Sequence, residues 1–387
     1  MKYDINDSIL YIGVDDKTID LFESQYIVPN GISYNSYLIM DEKIAVFDTV
    51  DNRKLDEWEE NLEKSLSDRT PNYMVIQHME PDHAAGIERF AAKYPEAKFV
   101  VNSKILAMIP QFFTIDLADR AIVVKEGETL SLGEHVLQFF MAPMVHWPEV
   151  MVTYEQKSKT LFSADGFGKF GALDVEENWA CEARRYYFNI VGKYGANVQA
   201  LLKKLSGVEV NAIAPLHGPI LKENLVYYLS LYNTWSSYEP EEENAIFIAY
   251  ASIHGNSAKV AKLLAEKLEK RGGKEVIIND LAREDQAEAV ENAFLAKKLV
   301  VVASSYDAGV FPPMEHFLHH LKSKNYQKRD VAIIENGSWA PTAGKVMRAQ
   351  LEQMKNLNIR EELITIRSTY KPENEAQLDS LCDWLYQ

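Results

Sequence analysis

The apolar run Tyr73-Met74-Val75-Ile76 passes directly into Gln77-His78-Met79-Glu80-Pro81-Asp82-His83. Four residues able to ligate a metal (His78, Glu80, Asp82 and His83) therefore follow one strand-like segment at close spacing. A strand that hands its chemistry to a loop at its C-terminal end constrains the fold, because such loops gather into a site only where several strands finish on one edge, as they do in α/β scaffolds. Imidazole and carboxylate together suit divalent first-row metals, iron and zinc in particular.

Three more candidates follow the same grammar. His146 lies in Met144-Val145-His146-Trp147-Pro148-Glu149, Asp165 in Leu161-Phe162-Ser163-Ala164-Asp165-Gly166, and His217 in Ile213-Ala214-Pro215-Leu216-His217-Gly218-Pro219. Singly, an Asp or His before Gly reads as a turn or cap residue. Seven nitrogen and oxygen ligands at successive strand ends point instead to a metal centre.

At 387 residues the chain is long for one core, so two domains are expected. The division falls at Ser237-Tyr238-Glu239-Pro240-Glu241-Glu242-Glu243-Asn244, a short charged segment with one proline. Residues 1–240 are mostly short β-rich runs with turns and a few helical stretches between them. Residues 245–387 alternate strand and helix: the apolar strands 245–250, 275–278, 298–303, 331–334 and 363–366 read as a doubly wound parallel sheet. The whole is a two-domain α/β protein.

The formal net charge of −16 argues against nucleic acid and against anionic membrane surfaces. No apolar stretch approaches the ~20 residues of a membrane span, and Met1-Lys2-Tyr3-Asp4-Ile5 opens no secretory signal, so the expected location is the cytoplasm. Two cysteines are too few for a disulfide framework or a thiolate metal site. Cys382 reads as a core thiol and Cys181, among charged residues, as a surface one.

The ligand order resembles that of the metallo-β-lactamase fold, and Glu80, where a second histidine is usual, is typical of flavodiiron proteins. Ser33-Tyr34-Asn35-Ser36-Tyr37-Leu38, His146-Trp147-Pro148-Glu149 and Glu182-Ala183-Arg184-Arg185-Tyr186-Tyr187 fit the same family. The resemblance spans essentially the whole chain. It implies an N-terminal metallo-β-lactamase-like αββα domain holding two non-haem irons, and a C-terminal flavodoxin-like domain holding FMN. One iron would take His78, Glu80 and His146, the second Asp82, His83 and His217, with Asp165 bridging; in some relatives water replaces the ligand at the His83 position. A carboxylate at position 80 hardens the site and compensates an iron that changes oxidation state.

Three loops of the second half carry the flavin reading. Ser252-Ile253-His254-Gly255-Asn256-Ser257 lies between a strand and a helix, where side-chain and backbone donors face a helix N-terminus and make a phosphate site. It lacks the lysine of a triphosphate loop, which favours a monophosphate. Ser304, Ser305, Tyr306, Asp307 and Gly309 follow the third strand, and Asn336, Gly337, Ser338 and Trp339 the fourth. In a flavodoxin-like sheet these loops flank the switch-point crevice, where Tyr306 and Trp339 would stack on or edge the isoalloxazine. Pro341 departs from the glycine-rich continuation common in the family.

The resemblance implies an oxidoreductase that reduces O2 to water or NO to N2O, with electrons relayed through FMN from an external carrier such as rubredoxin; a deazaflavin donor is the alternative. It also implies a head-to-tail homodimer, or a dimer of such dimers. The chain has no Cys-x-x-Cys pair, so a fused rubredoxin is not expected. The competing reading is a zinc-dependent hydrolase of the metallo-β-lactamase fold with an accessory flavin domain. His316, His319 and His320 read as an exposed helix face. The basic run Lys322, Lys324, Lys328 and Arg329 reads as a solvated surface and the best local candidate for docking an acidic carrier.

Overall fold

The computed structural model describes residues 3–387. Two compact units divide them. The first runs up to Tyr187 and includes Ala196–Asn233; the second joins Phe188–Gly195 to Thr234–Gln387. The division of the sequence into domains at 1–240 and 245–387 stays a proposal about independently folding pieces.

The first unit contains two main sheets. Six strands, β1 (Ile9–Tyr11), β2 (Tyr37–Ile39), β3 (Ala45–Phe47), β4 (Tyr73–Val75), β5 (Lys98–Val101) and β6 (Ala121–Val123), lie side by side in chain order. Strands β3 to β6 are parallel. Five more, β7 (Thr129–Ser131), β8 (Val136–Met141), β9 (Met151–Glu155), β10 (Thr160–Phe162) and β11 (Ala212–Ala214), form the second sheet, antiparallel except for the parallel β10–β11 pair. Phe47 of β3 stacks on Phe162 of β10 at a centroid separation of 4.2 Å, which packs one sheet on the other. Strands β2, β3, β4, β10 and β11 are buried throughout, which is why they read as continuous apolar runs and not as alternating ones. Helices cover both outer faces: Trp58 of Leu55–Leu66 reaches the first sheet's Ser36 Oγ at 3.0 Å, and Gly195–Leu205 buries Val198 and Leu201.

The second unit is a parallel sheet of β12 (Glu242–Ala251), β13 (Glu275–Asp280), β14 (Ala296–Tyr306), β15 (Asp330–Asn336), β16 (Asn358–Ile359) and β17 (Ile364–Ile366). Its spatial order is β13-β12-β14-β15, with β16 and β17 both on the far side of β15. This is the 2-1-3-4-5 order of doubly wound flavodoxin-like sheets, whose switch point falls between the first and third strands. The helix Asn256–Arg271 buries Val260, Ala261, Leu264, Ala265 and Leu268, an apolar stripe at helical spacing, and ends at Gly272 with φ of 68°. Cys382 is buried in this unit's core with Leu378, Leu381 and Leu385, whereas Cys181 is exposed.

Two features escape a reading of periodicity. A hairpin of Leu21–Phe22 and Tyr26–Ile27 turns through Glu23 and Ser24, both at positive φ without glycine. Phe188, adjacent in sequence to first-unit residues, belongs to the second unit and stacks on Phe294 at 3.9 Å.

Candidate metal centre and flavin cleft

Parallel strands finish on the same edge, and that is what gathers the ligand-type residues. The loop after β4 carries His78 and Glu80 and runs into the short helix Pro81–Ala84, which presents Asp82 and His83. His146 stands between β8 and β9, Asp165 after β10, and His217 after β11. All seven come together as two groups. Ligand atoms of His78, Glu80, His146 and Asp165 lie within 4.8 Å of one another, as do those of Asp82, His83 and His217. Six of the seven are buried and Glu80 is half-buried.

The contacts within the cluster suit an ion better than they suit one another. The Nε2 atoms of His83 and His217 are 3.1 Å apart. His217 Nδ1 donates to the Ser33 carbonyl at 2.7 Å, so its Nε2 presents a lone pair. Asp165 stands 3.0 Å from His146 Nε2, 3.4 Å from His78 Nε2 and 3.3 Å from His83 Nε2, yet neither of its oxygens has a hydrogen-bond partner, nor does either oxygen of Asp82. Buried carboxylates are costly unless paired or metal-bound, so four orphaned oxygens facing imidazole nitrogens fit a pair of divalent ions.

Neighbouring groups hold the cluster in place. Glu149, fully buried, accepts from His78 Nδ1 at 2.8 Å and from the Met79 amide at 3.0 Å, which aims His78 Nε2 inward. Asn102 holds the Glu149 carbonyl, and Asp48 accepts from the Gln77 amide and side chain. Burial works to depress the His146 imidazole, but the Asp165 and Glu80 carboxylates outweigh it and hold its pKa at about 9. Burial works equally to raise Asp165, which the imidazoles of His78, His146 and His83 hold well below the ordinary carboxylate range.

A mouth of about 260 Å³ opens beside Glu80 and Asp82, lined also by Phe22, Glu23, Tyr34, Asp51 and Arg53. Burial and the adjacent Glu80 push the Glu23 carboxyl up to about 7. Tyr186 was not singled out in the sequence, although it lies in the quoted Glu182–Tyr187 segment. Its ring is 5.5 Å from that of His217, and its buried hydroxyl has no hydrogen-bond partner. Burial, with Asp165, Glu80 and Asp82 adding to it, holds that phenol well above its ordinary pKa, so it keeps its proton.

In the second unit a cleft of about 640 Å³ opens between the loops after β12, β14 and β15, a volume suited to a mononucleotide-sized ligand. Of the residues read from the sequence, Ser252, Ile253, His254, Asn256, Ser304, Ser305, Tyr306, Asp307, Asn336, Gly337, Ser338 and Trp339 line it. Three shape the loops from behind. Gly255 caps the helix at φ of 88°, Ser257 Oγ lies 2.8 Å from Ser304 Oγ, and the Gly309 carbonyl accepts from Thr342. Ala308, Ala340, Thr342 and Ser368 complete the wall without having been read as site residues.

The cleft is a cradle for an anionic, planar group. The first turn of Asn256–Arg271 faces it with unsatisfied amides, the disposition that binds phosphate. Gly337 is required for steric reasons, since a Cβ there would stand 2.9 Å from Pro341 Cα. Tyr306 is 45% exposed and Trp339 is 92% exposed, both at the rim, where such aromatics are normally covered.

Two expectations about the neighbouring surface need correction or completion. Of the basic run, Lys322 is exposed as expected, whereas Lys324 and Lys328 are half-buried and Arg329 is buried. Arg329 is buried and donates to the carbonyls of Phe294, Ala296, Tyr238 and Gln327; Lys324 donates to the Asn189 carbonyl, and Lys328 pairs with Glu239. Their charges are spent on tying loops of their own unit together. His316 and His320 do share a helix face, with ring centroids 4.3 Å apart, and His316 Nδ1 lies 2.7 Å from Gln286 Oε1.

Comparison with known proteins agrees with this architecture. A family model described as ODP family beta lactamase matches residues 32–218. The rubredoxin oxygen:oxidoreductase of the anaerobe Desulfovibrio gigas superimposes with a TM-score of 0.91 at 26% identity, over 98% of this chain and 96% of that one. The flavodiiron protein of Giardia intestinalis shares the fold, with a TM-score of 0.91 at 21% identity over 99% and 98% of the two chains. The anaerobic nitric oxide reductase flavorubredoxin of Escherichia coli O1:K1 is 25% identical over 97% of this chain and 80% of its own length. The two units, a metallo-β-lactamase-like sandwich and a flavodoxin-like sheet, define a modular flavin- and metal-site architecture. Over nearly its whole length the chain is similar to flavodiiron proteins.

Proposed function

We propose that this chain is a flavodiiron oxidoreductase that reduces O2 to water, NO to N2O, or both, with electrons entering through FMN. The observation that carries the reading is the buried cluster of seven ligand-type side chains with orphaned carboxylates, in one chain with a flavodoxin-like cleft. The named activities of the Desulfovibrio and Escherichia relatives, oxygen reduction by rubredoxin and nitric oxide reduction, support the same chemistry.

His78, Glu80 and His146 would hold one iron, Asp82, His83 and His217 the other, with Asp165 between them. Bound there, the iron pair and FMN supply the electrons that no side chain can provide. The protein's own share is position and protons. Glu149 and Ser33 fix the His78 and His217 rings, and the protonated Tyr186 hydroxyl offers a hydrogen bond to oxygen or nitrogen developing charge at the cluster. In the cleft, the loop from Ser252 to Ser257 would hold the phosphate of FMN, and Tyr306 and Trp339 would contact its isoalloxazine.

An external carrier, rubredoxin in the first instance, would be the electron donor, a reading that the name of the Desulfovibrio relative supports. A head-to-tail homodimer would bring one chain's flavin beside its partner's irons. Among the described residues no helix is long and apolar enough to cross a membrane.

Metal and flavin analysis of protein purified without air tests the reading. Two irons and one FMN per chain, with consumption of O2 or NO on reduction, are expected. Full zinc occupancy from iron-replete cells would overturn it in favour of hydrolysis.

A further inference from the structure

Between helix Gly195–Leu205 and strands β9 and β10 lies a small apolar pocket that the reading above does not use. Val152 and Leu161 come from the strands; Val198, Leu201 and Leu205 come from the helix. Its wall continues to Val145, Gly166 and Phe167, the chain neighbours of His146 and Asp165. Pocket and cluster are thus lined by consecutive residues of the same two loops.

The cavity is tight: the centre of a water-sized sphere has about 10 Å³, the lower limit for one small guest. The chemistry of the wall decides which molecule. Ser163 Oγ donates to the Gly166 carbonyl at 2.6 Å, and the Tyr232 hydroxyl accepts the Phe167 amide, so the two polar side chains at the wall are engaged with backbone. A water held inside a protein needs two to four polar partners, which these groups do not supply; apolar cavities stay dry and take apolar guests instead. The charged mouth beside Glu80 is the opposite case, with Glu23, Asp51, Asp82 and Arg53 around it, and the two linings share no residue.

We propose that this pocket is a holding site for an uncharged diatomic gas, supplying the metal cluster through the Val145 and Gly166 loops and separately from the charged mouth. The proposal rests on the gas-reductase reading above. Leu202, the half-buried member of the wall, marks the side nearest solvent.

Xenon, an apolar atom without hydrogen-bonding capacity, is the direct probe. Crystals of the iron- and FMN-loaded protein under xenon pressure are expected to show a bound atom among Val145, Phe167, Val198 and Leu201. Val198→Leu fills the pocket; it should lose the xenon and lower kcat/KM for O2 or NO by about five-fold or more, with iron content and kcat at saturating gas unchanged. Leu201→Ala enlarges the pocket and should raise xenon occupancy. Absence of xenon from the wild-type pocket overturns the proposal, as does an unchanged kcat/KM in a Val198→Leu protein that has lost xenon. Failure of the underlying reading looks different: the fully loaded wild type would then reduce neither gas, whether or not xenon binds.

Discussion

The metal cluster and the flavin cleft both form where parallel strands end, yet they are secured in opposite ways. In the cluster the chemistry-bearing atoms are side chains, six of the seven ligand-type residues are buried, and at least two rings are fixed through their second nitrogen, His78 by Glu149 and His217 by the Ser33 carbonyl. In the cleft much of the binding surface is backbone and small hydroxyls. Its loops are pinned by bonds such as Ser305 Oγ to the Thr342 and Ala343 amides, and its two aromatics stand at the rim. A site built of converging charges is sensitive to the loss of a charged member, because such a loss strands a buried partner. A site built of many weak donors degrades by degrees.

The comparison breaks first, if it breaks, at Asp165. Asp165→Ala should empty the cluster of iron and reduce turnover to background, read by elemental analysis; retention of both irons would show that the cluster is not cooperative. Glu149→Gln should cost about 10–100-fold in metal affinity, the range for partners of ligating histidines, measured by iron retention against a chelator. Tyr186→Phe should keep both irons and lower kcat by about 100-fold, the smaller end of proton-donor effects. On the flavin side, Trp339→Ala should weaken FMN binding by about tenfold, equivalent to about 1.4 kcal/mol, seen as flavin fluorescence released on dilution.

The smallest effect concerns pH. Burial, with His316, Lys324 and His319 adding to it, holds the His320 pKa down at about 4. Below the ordinary histidine pKa the unfolded chain then binds more protons at this position than the folded one does. Stability should therefore fall as pH drops from about 6.5 toward 4, by an amount that solvent screening of this half-buried ring keeps modest. NMR titration of the imidazole and a flatter acid stability profile in His320→Gln would check it.

Much of this was legible in the sequence because burial and chemistry left separate marks. Strands such as β4 and β15 are buried on both faces and appear as uninterrupted apolar runs, and the ligand-type residues follow directly after them. Partners chosen by the tertiary fold leave no such mark. Glu149 reads as part of a loop until β4 and the β8–β9 loop bring it to His78, 71 positions away in sequence. Tyr186 is one aromatic among many in a helix. Thr342 and Ser368 reach the cleft only because β15 and β17 run side by side. The basic run misled in part for a related reason: charge count says nothing about whether a guanidinium finds several carbonyls to hold it, as Arg329 does.

The Phe188 insertion bears on how this protein could be cut and recombined. Its ring covers Phe294, which is 1% exposed, and Asn189 ties down the Ala287 carbonyl at 3.0 Å. A fragment starting at Ala245 would leave that aromatic slot open to solvent, a sticky surface with no polar compensation. Exchanging flavin modules between relatives would then mean transplanting the eight residues Phe188–Gly195 as well, as a graft inside the other half's sequence.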